Sequence, residues 1–429
     1  MKIGIIGAGF VGLTFAAVLA SKKHNVILVD SNTEKIQNLV LGKIPFYEPK
    51  LNALFVKFKN SITITPDITR TIDNCQIIFI TVGTPSLSTG EIDLSNVELV
   101  IKKISDSLNE SKNQPLIVLK STVIPGTHDK LVHTKTPQIN FELITNPEFL
   151  REGKAVDDTL HPHIVVIGGN EKNSVNSLKR FYNTLYKKNI PIVITNPQTA
   201  EMIKYANNSF LATKISFINQ LANICQNISG VNIDDVAKVI GKDPRIGGLF
   251  LNSGPGYGGS CLPKDLDALI SLCNKNGLKS PLLKAVRQTN DNQVTSILSL
   301  IEKNLGSIKD KKITILGLSF KENSDDIRES VSIKLIDNLL LHDVKITAHD
   351  PMAISQTRKI FGDKITFSDS IHGALKNSDC VVIMTAWKDY QKLSKNDFNQ
   401  MKKSIIIDTR GMLIDKKLGS NYYALGLGT

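Results

Sequence analysis

Short runs of uninterrupted apolar residues recur through the first part of the chain. Each is followed by a glycine or polar turn and then by apolar positions at three- and four-residue spacing. KIGII (2–6) is the first run and NVILVD (25–30) the second; others end at Val82 (QIIFITV), Leu119 (LIVL) and Ile167 (IVVI). Runs this short, apolar without alternation, fit strands buried on both faces, and strands alternating with helical stretches build βαβ units on a parallel sheet. The pattern predicts a doubly wound dinucleotide-binding domain over residues 1–195.

The period then changes. From Thr199 to about Ile228 apolar residues recur at helical spacing with no turn signal, which predicts one long helix closed by Gly230. More helix follows, interrupted by the glycine-rich stretch Gly247 to Gly259, so residues 196–300 read as a helical middle domain. At Lys312 a second α/β pattern begins: ITILG, a polar loop, a helix from about Ser330, the strand VKITAHD, then VVIMTAW and SIIIDTRG. The expected fold is therefore α/β, with two Rossmann-like doubly wound parallel-sheet domains (1–195 and 301–429) joined by a helical middle domain with a long central helix.

Composition narrows the classes. A chain of 429 residues is too long for one ordinary core. Apolar residues make up 41 %, with no uninterrupted run long enough to span a bilayer, and Met1 leads into a strand and a glycine turn without a cleavage site. These point to the cytoplasm. Five cysteines, scattered and without a CxxC pair, argue against a disulfide framework or a zinc knuckle. His161-Pro162-His163 has no partners at ligand spacing and reads as two loop histidines, so no metal is expected. The net charge is +12, but the lysines are dispersed and form no basic stripe. That removes nucleic acid as a partner and leaves a positive field suited to polyanionic small ligands.

Two segments carry chemistry. Gly7, Gly9 and Gly12, with Ala8, Phe10 and Val11 between them, form a GxGxxG turn between a strand and a helix. The first glycine permits the turn, the second lets a pyrophosphate approach, and the third packs helix on strand. Asp30 ends the second strand, where an acid binds both ribose hydroxyls of NAD and repels the extra phosphate of NADP; Lys35 lies close by. The second segment, GPGYGGSCLPKD (254–265), sets the thiol of Cys261 on backbone that can press against a ligand, with Lys264 and Asp265 within a turn. Lys204 and Asn208 are one helical turn apart, as are Glu148 and Glu152, where Asn146 is the expected N-cap and Pro147 the first helical residue.

GPGYGGSCLPKD, KSTVIPGT (120–127), NPEFLREG (146–153), EMIKYANNSFLA and GLSFKENSDDIRES together resemble the signature segments of the UDP-glucose/GDP-mannose dehydrogenase family, in order, from Gly7 to Arg410. The resemblance implies oxidation of a primary alcohol to a carboxylate with two NAD and one water, through a cysteine thiohemiacetal and thioester. It makes Cys261 the nucleophile, and Lys204 with Asn208 the pair that steadies oxyanion character or shuttles a proton. Asp265, supported by Thr122, becomes the water-orienting acid, and Glu152 a partner at hydrolysis. On the NAD side it adds Val82, Gly83, Thr84, Pro85, Ser86, Ser121, Thr122, Val123, Glu152, Cys261, Lys264 and Arg328.

On the sugar-nucleotide side the resemblance implies Glu148, Phe149, Leu150, Arg151 and Glu152 in one segment, with Lys204 and Asn208. It adds Phe250, Asn252, Ser253, Gly254, Tyr257 and Gly258 around the diphosphate, and Phe320, Lys321 and Arg410 from the third domain. DPRIG (243–247), with Arg245, is similar to the branch acting on UDP-glucose, whose arginine often reaches a neighbouring subunit's hexose, and a homodimer is implied. Ser260 precedes the cysteine where branches acting on N-acetylated UDP-sugars have histidine. Ile164 stands where many UDP-glucose enzymes carry arginine, which keeps GDP-mannose as the alternative substrate. A non-catalytic nucleotide-sugar sensor would lack one of the chemical groups; all are present.

Overall fold

The computed structural model describes residues 1–133, 141–187 and 190–428. The chain divides into two compact units, Met1–Asn207 and Asn208–Thr429, and the division falls inside one helix, Pro197–Cys225.

The first unit is built on an eight-stranded sheet in the order β3-β2-β1-β4-β5-β6-β7-β8. The strands are β1 (Lys2–Ile6), β2 (Asn25–Val29), β3 (Ile62–Thr65), β4 (Ile77–Ile80), β5 (Leu116–Leu119), β6 (Leu143–Thr145), β7 (Val165–Gly168) and β8 (Ile192–Thr195). β1 to β6 run parallel. β7 joins β6 antiparallel through the pair Thr145↔Gly168, and β8 follows β7 in parallel. The strands read as continuous apolar runs because helices cover both faces. Ile3, Ile5, Phe79, Val118 and Ile167 point into one core with the helix Phe10–Ser21, and Ile78, Ile80, Ile117 and Leu119 into the other.

The second unit holds a six-stranded, wholly parallel sheet in the order β11-β10-β9-β12-β13-β14. Its strands are β9 (Lys312–Leu316), β10 (Lys345–His349), β11 (Thr366–Phe367), β12 (Cys380–Ile383), β13 (Ile405–Asp408) and β14 (Tyr422–Ala424). Before the sheet come the helices Ile233–Ile240, Leu262–Lys275 and Pro281–Leu305. Ala212, Tyr257, Leu266 and Val286 make one small core among them, and Ile218, Ala222, Ile233 and Leu251 another.

The long helix is 29 residues, about 43 Å of axis. Asn196 Oδ1 accepts the N–H of Thr199 at 2.8 Å and Pro197 occupies the first turn, so it starts two residues earlier than the pattern predicts. It stops at Cys225, before Gly230, because the chain's last segment takes over. Gln226 Oε1 accepts the Gly426 N–H at 2.8 Å, its Nε2 donates to Leu427 O, and Gly230 N–H meets Gly428 O.

One expected helix is absent. Asn146 does not cap a helix carrying Glu148 and Glu152, and residues 146–153 are irregular, with helix from Ala155 to Leu160 only. The reason is local. The oxygen that would cap, Asn146 Oδ1, already accepts from Lys120 Nζ (3.2 Å) and Tyr182 Oη (2.5 Å), while Nδ2 donates to Val166 O. The side chain is thereby committed to the sheet, and buried polar groups hold such bonds firmly.

Candidate active site

At the carboxyl end of β1 the glycines divide their work as the sequence implies. Gly7 has φ +108°, and a Cβ there would sit 2.9 Å from the Thr81 backbone. A Cβ at Gly12 would lie 1.9 Å from Gly7 O, so helix and strand touch at that point. At Gly9 a Cβ would meet nothing within 4 Å. The helix Phe10–Ser21 begins at this open face without a side-chain cap and without an acid in its first turn. Its N–H groups and dipole are therefore left for an anion.

Asp30 Oδ2 accepts from Ala8 N (2.9 Å) and Lys35 Nζ (2.8 Å), and Oδ1 from Asn32 N (3.0 Å). Burial pushes its pKa up, but the bonds from Lys35, Asn32 and Ala8 hold the carboxyl below its usual range. Beyond β4, Ser121 Oγ donates to Val82 O (2.7 Å) and Thr84 Oγ1 to Thr122 O (2.7 Å). These bonds join the two loops expected to face a nicotinamide cofactor, and the residues present fit a dinucleotide.

The first unit also holds a buried ion pair. Lys204 Nζ donates to Glu148 Oε1 at 3.0 Å, with side chains 4 % and 8 % exposed. The Lys204 ammonium stands 5.5 Å from the centre of the Phe149 ring. Burial would raise the Glu148 carboxyl, but Lys204, the Leu150 N–H and Lys120 together hold it below the usual range. Glu152 is half-buried, and Arg151 turns outward to Asp158, with three bonds of 2.6 to 3.0 Å.

In the second unit Cys261 is the residue before the helix Leu262–Lys275, half-buried, with Ser260 Oγ 3.5 Å from its sulfur. A helix N-terminus lowers the cost of a thiolate. One turn on, Asp265 is 1 % exposed; Asn208 Nδ2 donates to Oδ2 at 2.6 Å and Lys264 Nζ to Oδ1 at 2.5 Å. Both oxygens of a buried carboxylate are thus bound, and its orientation is fixed.

The glycines around the thiol are there to let side chains in. A Cβ on Gly254 would lie 3.0 Å from Arg410 Nη1, one on Gly258 2.3 Å from Glu329 O, and one on Gly259 2.7 Å from the Phe320 ring. Gly259 N–H donates to Arg328 O, and Gly254 N–H to Asn219 Oδ1. Arg410 is anchored through Nε to Met384 O, and burial depresses its pKa. Phe250 has φ +65°, and Asn290 grips the backbone of Tyr257 from both sides. Tyr257 and Ser253 are buried, and Phe320 and Lys321 half-buried.

Two of the expected residues pair with neighbouring carboxylates: Arg245 is exposed and held by Asp243 at 2.6 Å, and Arg328 pairs with Asp326 at the same distance while its carbonyl accepts the Gly259 N–H. Among the described residues no group of His, Cys, Asp or Glu side chains is arranged to hold a metal. Two groups escaped the sequence reading. Lys120, nine-tenths buried behind Glu148, was signalled by a lysine closing an otherwise apolar strand. Glu201, 1 % exposed, accepts N–H groups of Gly126 (2.7 Å) and His128 (2.8 Å), and burial lifts its pKa to about 7. Its signal was an acid among the apolar positions of the long helix, one turn before Lys204.

Comparison with known proteins places the whole chain. Residues 1–186 match the NAD binding domain of the UDP-glucose/GDP-mannose dehydrogenase family, residues 198–292 its central domain and residues 314–415 its UDP binding domain. UDP-glucose 6-dehydrogenase of Rickettsia conorii is 41 % identical, over 99 % of this chain and 99 % of its own. That of Rickettsia felis is 40 % identical, over 99 % and 96 %. A UDP-glucose dehydrogenase from the archaeon Pyrobaculum islandicum superposes with a TM-score of 0.91 at 31 % identity, over 100 % of this chain and 98 % of that one. The chain belongs to the UDP-glucose/GDP-mannose dehydrogenase family, as an oxidoreductase that uses NAD.

Proposed function

We propose that this chain oxidises UDP-glucose to UDP-glucuronate, as a UDP-glucose 6-dehydrogenase. One observation carries the chemistry: Cys261 stands at the head of a helix whose first turn holds Asp265 buried and bound on both oxygens. The substrate is supported by relatives named for UDP-glucose at about 40 % identity over nearly the whole chain.

NAD, when bound, accepts hydride from C6 of the sugar, one for each of two molecules. Gly7 to Gly12, Asp30, Val82 to Ser86 and Ser121 to Val123 would hold it. The protein's own groups do the rest. Lys204, paired with Glu148, takes the proton of the C6 hydroxyl as the aldehyde forms. The Cys261 thiolate adds to that carbonyl, giving a thiohemiacetal that is oxidised to a thioester. Water held by Asp265 attacks the thioester carbon, and the C–S bond breaks with the thiolate leaving. Asn208, with Lys204, steadies the oxyanion, Thr122 supports Asp265 in orienting the water, and Glu152 assists hydrolysis. Phe149 to Arg151, Phe250 to Gly258, Phe320, Lys321 and Arg410 hold the nucleotide and sugar.

The chain works as three stretches: 1–195 for NAD, 196–300 for the thiol and for pairing, 301–429 for UDP. No described helix is long and apolar enough to cross a membrane, and we take the enzyme as cytoplasmic. We also take it as a homodimer. Phe210, Phe217 and Ile224, seven residues apart on the long helix, are 65 %, 52 % and 52 % exposed, a stripe suited to a second copy.

The test is NADH yield with limiting UDP-glucose and excess NAD, with GDP-mannose in parallel. Two NADH per UDP-glucose are expected; turnover of GDP-mannose alone would refute the substrate. Cys261→Ser should bind both ligands yet fail at the second oxidation, and full turnover by it would refute the covalent route. Sedimentation showing an active monomer would refute the dimer.

A further inference from the structure

We infer that Glu48 is a positioning residue for the reaction: its carboxylate fixes the turn that carries Glu152. This rests on reading Glu152 as the group that assists hydrolysis of the thioester.

Glu152 is the second residue of a four-residue turn, Arg151 to Lys154, closed by the Lys154 N–H on Arg151 O at 2.9 Å. Its third residue, Gly153, has φ +76°, the sign that a type II turn requires and that residues with a side chain avoid. Turns of types I and II differ by a flip of the central peptide, here the one joining Glu152 to Gly153. The turn's own hydrogen bond uses its outer groups, so the N–H of that central peptide must find a partner elsewhere. Gly153 is buried, and a buried N–H without a partner is costly.

Glu48 supplies the partner. Its Oε2 accepts the Gly153 N–H and its Oε1 the Ala155 N–H, both at 2.7 Å, and the residue is 4 % exposed. Ala155 opens the helix Ala155–Leu160, whose preceding residue Lys154 gives no side-chain cap. One carboxylate, 105 residues from Gly153 in sequence, therefore caps this helix and holds the turn before it. A peptide unit is planar, so the bond that fixes the Gly153 N–H also fixes the Glu152 Cα in the same plane. A flip to the other turn type would break that bond and rotate the backbone of Glu152.

Glu48 is itself held on both sides. The Phe46 ring packs 5.2 Å from that of Phe10, and the Leu51 N–H donates to Glu48 O at 3.2 Å. Leu51 and Phe55, on the helix Leu51–Phe58, are wholly buried. Lys50 pairs with Asp157 at 2.7 Å and ties the same two segments, though so exposed a pair contributes little. On the near side of the turn Asp158 Oδ2 accepts the Arg151 N–H at 3.0 Å. Glu152 thus lies between two backbone N–H groups, each bound by a carboxylate.

The test separates oxidation from hydrolysis in the full-length enzyme, mixed with excess NAD and UDP-glucose. The first rapid phase of NADH reports the hydride steps, and mass analysis of quenched samples reports the loss of the acyl adduct from Cys261. In Glu48→Gln an NH₂ group faces one of the two N–H donors where an acceptor is needed. Adduct loss should slow by about ten- to a hundred-fold while the first phase stays within about two-fold of the parent. Equal slowing of both would reduce Glu48 to a structural prop, and an unchanged rate of adduct loss would detach Glu152 from it; either overturns the inference. Glu48→Asp, one methylene shorter, serves if the glutamine variant does not fold. The same selective slowing is expected, and its absence overturns the inference equally. Glu152→Gln separates the two readings. If it loses the adduct like the parent, Glu152 is not the hydrolytic group. If it retains the adduct while the Glu48 variants lose it at the parent's rate, the inference alone fails.

Discussion

The two parallel sheets are built on one plan and end in opposite states. Both run in the order 3-2-1-4-5-6 across their first six strands. In the first, Gly7 N–H donates to Val29 O (2.8 Å) and Ala8 N–H to Asp30 Oδ2 (2.9 Å). In the second, Gly317 N–H donates to His349 O (2.9 Å) and Leu318 N–H to Asp350 Oδ2 (2.7 Å). Gly7 and Gly317 share a positive φ, 108° and 102°, and each is pressed against a threonine, Thr81 and Thr385.

The two diverge just past the glycine. After Gly7 a helix starts three residues on, and Asp30 keeps an edge toward solvent. After Gly317 no helix starts until Val331, and the intervening loop carries Phe320, Lys321 and Arg328. Asp350 is 2 % exposed, and besides Leu318 N–H it accepts from Ser319 N and Oγ, Trp387 Nε1, Met352 N and Ala353 N. No lone pair is left for a ribose. The same latch is left with an edge open in one sheet and is closed as a structural rivet in the other.

The largest effect is expected where the latch is closed. Asp350→Ala strands several buried donors and should cost about 3–5 kcal/mol, read as a large drop in Tm of the second unit. Asp30→Ala should change Tm little and raise KM for NAD by about ten-fold or more, about 1.4 kcal/mol per factor of ten. If Asp30→Ala proves the more destabilising of the two, the contrast collapses. Gly9→Ala comes next. No described residue lies within 4 Å of the new methyl group, so stability should hold while KM for NAD rises several-fold; an unchanged KM would mean that the open face is not where the pyrophosphate lies.

Much of this was legible in the chain. Uninterrupted apolar runs such as NVILV gave the strands and their parallel pairing, because a strand covered on both faces has no polar side to display. The glycine spacing at 7, 9 and 12 gave the cradle, since each glycine answers a distinct steric demand. What was not legible depended on groups far apart in sequence. Asn146, Pro147 and Glu148 read locally as a helix start, and only Lys120 and Tyr182, 26 and 36 residues away, take the capping oxygen. The reversal at β7 rests on a single pair, Thr145↔Gly168, that no periodicity encodes. Asp350 follows its strand just as Asp30 does, and the Trp387 that closes it comes from the segment after β12, two strands away in the sheet and 37 residues along the chain.

A third carboxylate sharpens the comparison through pH. Like Asp350, Glu201 is bound by backbone N–H groups, here of Gly126 and His128, but burial wins and its pKa rises to about 7. Between pH 4.5 and 7 the folded state therefore holds a proton that the unfolded chain has lost, and this group's contribution to stability falls as pH rises through that window. Glu201→Gln removes the dependence. Relative to the parent, its Tm should improve from pH 5 to about 7 and level off above that; a constant difference would mean that Glu201 is ionised throughout.

The smallest effect, and the finest test of the open latch, is expected at Lys35. Its ammonium lies 2.8 Å from Asp30 Oδ2, beside the edge where a ribose would dock, and its side chain is 29 % exposed. A cation there does two opposing things. It holds Asp30 ionised, which helps bind the ribose hydroxyls of NAD, and it offers a counter-charge to the extra phosphate of NADP, which weakens discrimination. The pair is partly screened by solvent, so neither contribution should exceed about 1 kcal/mol. In Lys35→Ala, Asp30 keeps the Ala8 and Asn32 N–H groups and remains a carboxylate at neutral pH. The first loss should then be slight, and the second should dominate. KM for NAD is expected to change by less than about three-fold and the preference for NAD over NADP to rise by about the same factor, both within the 1 kcal/mol limit. A fall in that preference would mean that Asp30 depends on Lys35 for its charge, and that the first sheet's latch is held open by its lysine rather than by its backbone.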